Sequence, residues 1–103
     1  HKGEIEKAIS SYTTAVKNDE TLTTAWVNLA SVQIVAGDFE AARKAAEKCI
    51  EIDSNFSMGY NNLAVALYYI KDFKEAKIQM QKAIEHGYPV EQAFIDAVEN
   101  ELT

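Results

Sequence analysis

Small and apolar residues recur along this chain at the spacing of helix faces, and polar or turn-forming residues interrupt them at intervals. The Gly37-Asp38 pair is a typical boundary, because glycine suits the position after a helix and aspartate the position before one. The Lys71-Asp72 pair repeats this boundary with a lysine in place of glycine. The pattern predicts an all-α chain with six helices, at about residues 3–17, 23–36, 39–52, 57–70, 73–86 and 90–101.

The second boundary predicts two local features. Lys71 would cost about 1 kcal/mol relative to glycine if its backbone were left-handed. Asp72 and Glu75 have the spacing of a capping box, in which each side chain would accept a hydrogen bond from the other residue's main chain.

The pattern also repeats with a period of 34 residues. Ala8, Ala42 and Ala76 are each 34 residues apart, and other columns keep the same register. These columns include Ile5/Phe39/Phe73, Ala15/Cys49/Ala83, Trp26/Tyr60/Phe94, Leu29/Leu63 and Ala30/Ala64. A strict period of this length indicates stacked units that bury their apolar faces against one another.

On these columns the chain resembles the tetratricopeptide repeat (TPR) family, whose unit is a helix-turn-helix of this length. The resemblance implies a right-handed helix-turn-helix repeat stack, an α-solenoid. It also implies a single domain, in which residues 1–22 are a partial repeat, 23–56 and 57–89 are complete repeats, and 90–103 form a capping helix. The proline that usually ends each unit is missing, since Glu20 and Ser54 occupy its place.

Composition narrows the classes of partner. The net charge is −6 and the sequence pI is about 4.8, which argues against nucleic-acid binding through clustered basic residues. No apolar run approaches the roughly 20 residues of a membrane span. The single cysteine, Cys49, replaces alanine in its column and is interpreted as a small buried residue.

Signals for catalysis are absent from the sequence. The only histidines are His1 and His86, and no metal-binding, phosphate-binding or nucleophile motif is found. We therefore expect no enzymatic activity and no cofactor.

Segments 23–36 and 57–70 contain no charged residue, although a surface helix normally has a charged face. Either they line a neutral binding groove or they are buried within a longer chain. The family resemblance favours the groove and implies eight peptide-contacting residues: Val27, Asn28, Ser31, Met58, Asn61, Asn62, Val65 and Tyr69. Asn28 and Asn62 could bind a peptide main chain, or each could bond a neighbouring helix.

Some TPR proteins grip the acidic C-terminal tail of heat-shock chaperones with a clamp of Lys, Asn and Arg. The corresponding positions here are Val27, Ser31, Asn61, Val65, Gln92 and Asp96. The clamp is absent, so an acidic chaperone tail is not the expected ligand.

Ile5, Ile9 and Tyr12 form an apolar stripe on the first helix. In a complete unit, a preceding helix would cover this stripe. We interpret the chain as a piece of a longer TPR protein, with a homodimer through the open N-terminal edge as the alternative.

The function expected from the sequence is a non-catalytic protein–protein interaction module that binds a peptide or helix of a protein partner in a neutral concave groove. The alternatives are a structural or self-assembly segment and the docking arm of an enzyme.

Overall fold

The computed structural model describes residues 2–103, so His1 lies outside it. The described residues form six helices and no strand, in agreement with the predicted pattern. The helices are α1 (Lys2–Asn18), α2 (Thr23–Ala36), α3 (Phe39–Ile52), α4 (Ser57–Ile70), α5 (Phe73–Glu85) and α6 (Gln92–Glu101).

The helices stack in two layers. Each helix packs on the next one in sequence, and α2 also packs directly on α4. Helices α2 and α4 therefore share one layer, while α3 and α5 cover them from the other side. The stack is elongated, with dimensions of 42 × 29 × 20 Å.

Small side chains fill the contacts between helices. The alanines of the repeating columns that lie at helix crossings, Ala30, Ala42, Ala64 and Ala76, are completely buried. Small residues are needed there because packed helix axes approach to about 8–10 Å. Helices α3 and α4 are so close that a Cβ atom on Gly59 would lie 2.8 Å from Ile50 Cγ2.

The helix boundaries follow the predicted turn chemistry, with one correction. Asp38 and Asp72 cap α3 and α5 by accepting hydrogen bonds from the main-chain N–H groups of Ala41 and Glu75. Lys71 is left-handed with φ 75°, like Gly37 with φ 83°.

The predicted capping box between Asp72 and Glu75 is only half formed. The N–H of Asp72 donates to the main-chain oxygen of Leu67 in the turn that ends α4. The Glu75 carboxylate instead accepts a hydrogen bond from Gln79. The turn therefore uses the donor that the box would have needed.

The aromatic column closes the loops before the first helix of each unit. Trp26 Nε1 donates to the main-chain oxygen of Glu20 at 2.9 Å, and the Tyr60 hydroxyl donates to that of Ser54 at 2.6 Å. In each case the acceptor lies six residues earlier in the chain, so Trp26 and Tyr60 have equivalent structural roles in their units. Trp26 is half-buried rather than fully enclosed.

Cys49 lies on α3 and is completely buried against the start of α2, as its alanine column predicted. Its thiol lies 3.7 Å from the main-chain oxygen of Thr23. Burial, together with the negative charge of Asp53, raises the pKa of the Cys49 thiol to about 11. The thiol is therefore protonated and unreactive at neutral pH.

Candidate functional site

The uncharged helices α2 and α4 are not buried on all sides. Asn28 on α2 and Met58 on α4 are exposed, and Ser31, Asn61 and Val65 are half-buried. Met58, Asn61 and Val65 lie three and four residues apart, so they form one stripe on α4. This surface displays amide, hydroxyl and apolar groups without any charge.

Two of the eight residues expected in the groove are buried instead. Val27 is 2% exposed and Asn62 is 7% exposed. Both lie in the contact between α2 and α4, because these two helices pack directly on each other. The expectation that Val27 and Asn62 face a ligand is corrected by this packing.

Asn62 is bonded to the neighbouring helix. Its Nδ2 donates to the main-chain oxygen of Val27 at 3.1 Å and to Ser31 Oγ at 2.9 Å. The Ser31 hydroxyl in turn donates to the same Val27 oxygen at 3.0 Å. Of the two roles left open by the sequence, Asn62 has the one in which the amide joins adjacent helices.

Asn28 occupies the same column but has a different environment. Asn62 lies on the side of α4 that faces α2, so Asn28 lies on the side of α2 that faces away from α4. Within residues 2–103 no side-chain hydrogen bond engages Asn28, and its amide is exposed. The Asn28 amide can therefore meet an external partner.

A cavity of about 230 Å³ lies beside the exposed stripe of α4. Two predicted residues, Asn61 and Val65, line it together with Tyr88, Glu91 and Phe94. Phe94 also packs against the core cluster of Ala64, Met80 and Val98. Tyr88 and Glu91 are not among the residues that the sequence predicts for the groove. The Gly87-Tyr88-Pro89 turn was the available signal, because such a turn folds the chain back beside the preceding helices.

Tyr69, the last of the predicted residues, lies near the end of α4. Its ring stacks on Phe39 of α3, with the ring centroids 4.6 Å apart and an interplanar angle of 13°. The other face remains accessible, since about half of the side chain is exposed. Tyr69 therefore joins two units while also presenting an aromatic surface.

The charge along this surface changes at α6. Glu91 and Asp96 are exposed, and Gln92 Nε2 donates to Asp96 Oδ1 at 3.0 Å. Glu99 is paired with Lys77 of α5 at 3.3 Å. A ligand lying across the surface would meet a neutral centre on α2 and α4 and an acidic end on α6.

In residues 2–103, no three His, Cys, Asp or Glu side chains are grouped so that they could hold a metal ion. No helix in that range is long and apolar enough to cross a membrane.

The chain matches the family model of the tetratricopeptide repeat at residues 23–56 and 59–85. Among curated proteins it is similar to Hsp70-Hsp90 organizing proteins 3 and 2 of Arabidopsis thaliana, with 30% identity over 92 residues and 33% over 91 residues. These alignments cover 89% and 88% of this chain but only 16% of each relative.

Solved structures share the fold over nearly the whole chain. The Sgt2 TPR domain of Aspergillus fumigatus superposes with a TM-score of 0.84 at 27% identity, covering 98% of this chain and 68% of that one. The first TPR of Spaghetti (RPAP3), bound to the HSP90 peptide SRMEEVD, has a TM-score of 0.86 at 18% identity, with 98% and 79% covered. The second TPR domain of human RPAP3, in complex with the HSP70 peptide SGPTIEEVD, has a TM-score of 0.85 at 20% identity, with 99% and 84% covered.

Proposed function

Since this chain belongs to the tetratricopeptide repeat family, we propose that it is a protein-interaction module that acts by binding a peptide segment of a protein partner rather than by catalysis. Residues 23–56 and 57–89 are the two complete repeats of this proposal. Residues 1–22 end a partial repeat, and residues 90–103 form the capping helix. The peptide lies along α2 and α4 and reaches the start of α6.

The observation that carries the proposal is the uncharged, partly exposed surface of α2 and α4. Helices that face only water normally have charged residues on that side, and α3 and α5 do have them. Asn28, Met58, Asn61 and Val65 are accessible on the uncharged helices. Such a surface can bind apolar side chains and main-chain amides without desolvating a charge.

The cavity beside α4 defines one anchoring position. Val65 and Phe94 provide apolar walls, and Asn61 provides an amide with two donors and an acceptor. An aliphatic or small aromatic side chain of the peptide fits this chemistry. Asn28 and Asn61 then pair with the peptide main chain, while Val27 and Asn62 support the surface from below.

The ligand of this chain differs in charge from the peptides bound to the two RPAP3 domains. Those peptides both end in the acidic sequence EEVD. Helices α2, α4 and α6 carry no Lys or Arg, whereas Glu91 and Asp96 are exposed at the α6 end. The carboxylates of Glu91 and Asp96 would repel an acidic tail, and no cation on these helices would attract it. The proposed ligand is therefore neutral or basic at the end that meets α6.

Photo-crosslinking tests the groove directly. A photoreactive amino acid at Asn61 should capture a protein partner from cell extract, while the same group at Glu85, an exposed residue of α5, should not capture it. Val65→Glu should abolish the capture without changing helicity. Equal capture from the Asn61 and Glu85 positions, or undiminished capture in Val65→Glu, would show that the partner does not bind in the groove.

The acidic end of the surface at α6 predicts which peptides are excluded. Calorimetric titration with the peptide SRMEEVD should show no binding to this chain. Binding of that peptide would contradict the charge argument while leaving the groove as the peptide site.

A second candidate function is self-assembly through the N-terminal edge. Val35 at the end of α2 is 69% exposed. With Ile5, Ile9 and Ala36 it forms the apolar part of a cavity of about 400 Å³, which Lys2 and Glu6 also line. Apolar side chains left accessible together are typical of an interface. Two copies could pair these edges about a two-fold axis.

A further inference from the structure

The cavity beside α4 brings a carboxylate and two aromatic rings next to the uncharged surface. Its volume is about 230 Å³, and α4 contributes Asn61 and Val65 to its lining. The chain that follows α5 contributes Tyr88, Glu91 and Phe94. The cavity therefore combines ring faces and a negative charge with an aliphatic wall.

Tyr88 is positioned by the turn that ends α5. Gly87 is left-handed with φ 91°, and the Tyr88 N–H donates to the main-chain oxygen of Ala83 at 2.9 Å. The main-chain oxygen of Tyr88 accepts a hydrogen bond from the Val90 N–H, also at 2.9 Å. The main chain of Tyr88 is therefore held on both sides, while its half-buried side chain lines the cavity.

Phe94 provides a fixed aromatic wall. Its ring meets the ring of Tyr68 edge-on, with the ring centroids 5.7 Å apart. It also packs against the core cluster of Ala64, Met80 and Val98. A side chain held by three helices keeps its position when a ligand binds, which lowers the entropic cost of binding.

The carboxylate of Glu91 is available to a ligand. Glu91 precedes the first residue of α6, and its side chain makes no capping hydrogen bond. No Lys or Arg occurs after Lys82 in the chain, so no cation of this segment neutralises it. In contrast, the carboxylate of Asp96 accepts a hydrogen bond from Gln92.

Ring faces beside a carboxylate favour a cationic side chain. The rings attract a cation to their faces, and the carboxylate forms a charge-assisted hydrogen bond with it. The planar guanidinium of arginine can stack on a ring and offer two parallel N–H groups to a carboxylate, whereas the lysine ammonium is a compact and strongly hydrated charge. The stem of arginine is aliphatic, so it also fits the wall formed by Val65 and Phe94.

We propose that this cavity binds an arginine side chain of the partner peptide, an inference that rests on the proposed peptide groove. The arginine stem lies against Val65 and Phe94, and its guanidinium stacks on Tyr88 and donates to the Glu91 carboxylate. Asn61 pairs with the peptide main chain beside the arginine. The partner of this chain therefore carries an arginine in the segment that meets α6.

Capped tripeptides test the cavity without a charged terminus. Acetyl-Ala-Arg-Ala amide should cause saturable NMR shifts of the Val65 methyl signals and of the Tyr88 and Phe94 ring signals. The citrulline peptide has the same shape without the charge and should bind about fivefold more weakly. The lysine peptide should also bind more weakly, because its ammonium group cannot stack on a ring. Equal affinity of the arginine peptide and either comparison, or no saturable shift, would overturn the proposal.

Variants separate the contribution of the ring from that of the carboxylate. Tyr88→Leu should weaken the arginine peptide about threefold, whereas Tyr88→Phe keeps the ring and should bind like the parent. Glu91→Gln should weaken it about fivefold. Glu101→Gln removes the same charge from an exposed residue of α6 outside the cavity and should leave binding unchanged.

Glu91→Gln decides the proposal if circular dichroism shows that Tyr88→Leu disturbs the fold. Unchanged affinity in Glu91→Gln would contradict it. Failure of the groove has a different sign, which is the loss of specific capture at Asn61. Equal binding of the arginine and citrulline peptides with capture at Asn61 retained would reject arginine recognition and leave the groove as the peptide site.

Discussion

Asn62 Nδ2 donates a hydrogen bond to the main-chain oxygen of Val27 at 3.1 Å, across the contact between α4 and α2. The bond is buried, and the same Nδ2 also donates to Ser31 Oγ at 2.9 Å. The asparagine in the equivalent position of α2, Asn28, is exposed. The asparagine of this column therefore joins two helices in one unit, as Asn62, and is accessible to a partner in the other, as Asn28.

This difference predicts opposite effects of the same substitution. Asn62→Ala should lower the free energy of unfolding by about 1–3 kcal/mol, because it removes a buried amide that joins two helices. Asn28→Ala should change it by no more than about 0.5 kcal/mol, since the side chain is exposed. Urea denaturation of both variants measures the contrast. Equal losses would mean that the bond to Val27 does not stabilise the stack.

The left-handed Lys71 predicts a stabilising variant. Lys71→Gly should raise the free energy of unfolding by about 1 kcal/mol, because glycine lacks the Cβ atom that strains the left-handed backbone of lysine. Gly37→Lys is the matched reverse change at φ 83° and should lower it by a similar amount. Thermal denaturation followed by circular dichroism would show the two shifts. A loss of stability in Lys71→Gly would assign Lys71 a stabilising contact that outweighs its backbone strain.

Cys49 predicts a dependence of stability on alkaline pH. Its pKa is raised in the folded chain from an ordinary value of 9.0 to about 11. The folded state therefore holds the proton more tightly than the unfolded state, and this contribution is complete below pH 9. It should be lost as the pH rises from about 9 to about 11.

Cys49→Ala isolates this effect from the titration of lysine and tyrosine. As the pH rises through that window, the urea midpoint of the parent chain should fall relative to the midpoint of Cys49→Ala. A thiol reagent at pH 8 should also modify the folded parent much more slowly than the unfolded chain. Rapid modification of the folded chain, or a midpoint difference independent of pH, would show that the thiol is accessible.

The N-terminal edge predicts self-association. Sedimentation velocity of the parent chain should show dimers that increase with concentration, because Ile5, Ile9 and Val35 form the apolar part of an accessible cavity at this edge. Ile9→Glu should shift the population to monomers by placing a charge in this edge. Glu85→Gln is a control on an exposed residue of α5 and should dimerise like the parent. A parent chain that stays monomeric at high concentration would exclude the edge as an interface.

The sequence alone determined the local structure. The 34-residue period, the alanine columns and the turn residues located six helices close to their observed bounds, because helix periodicity and capping depend on residues that are near each other in the chain. The same logic identified Lys71 as the residue in the glycine position. It also assigned Cys49 to a buried column.

Only the tertiary structure decided which faces of those helices are accessible. A repeat column specifies the side of its own helix on which a residue lies, so Asn28 and Asn62 are equivalent in sequence. Asn62 is buried because α2 packs on that side of α4, whereas no described helix covers the corresponding side of α2. The cavity of Asn61, Tyr88 and Phe94 arises in the same way. It depends on residues that are distant in sequence and meet only when the helices stack.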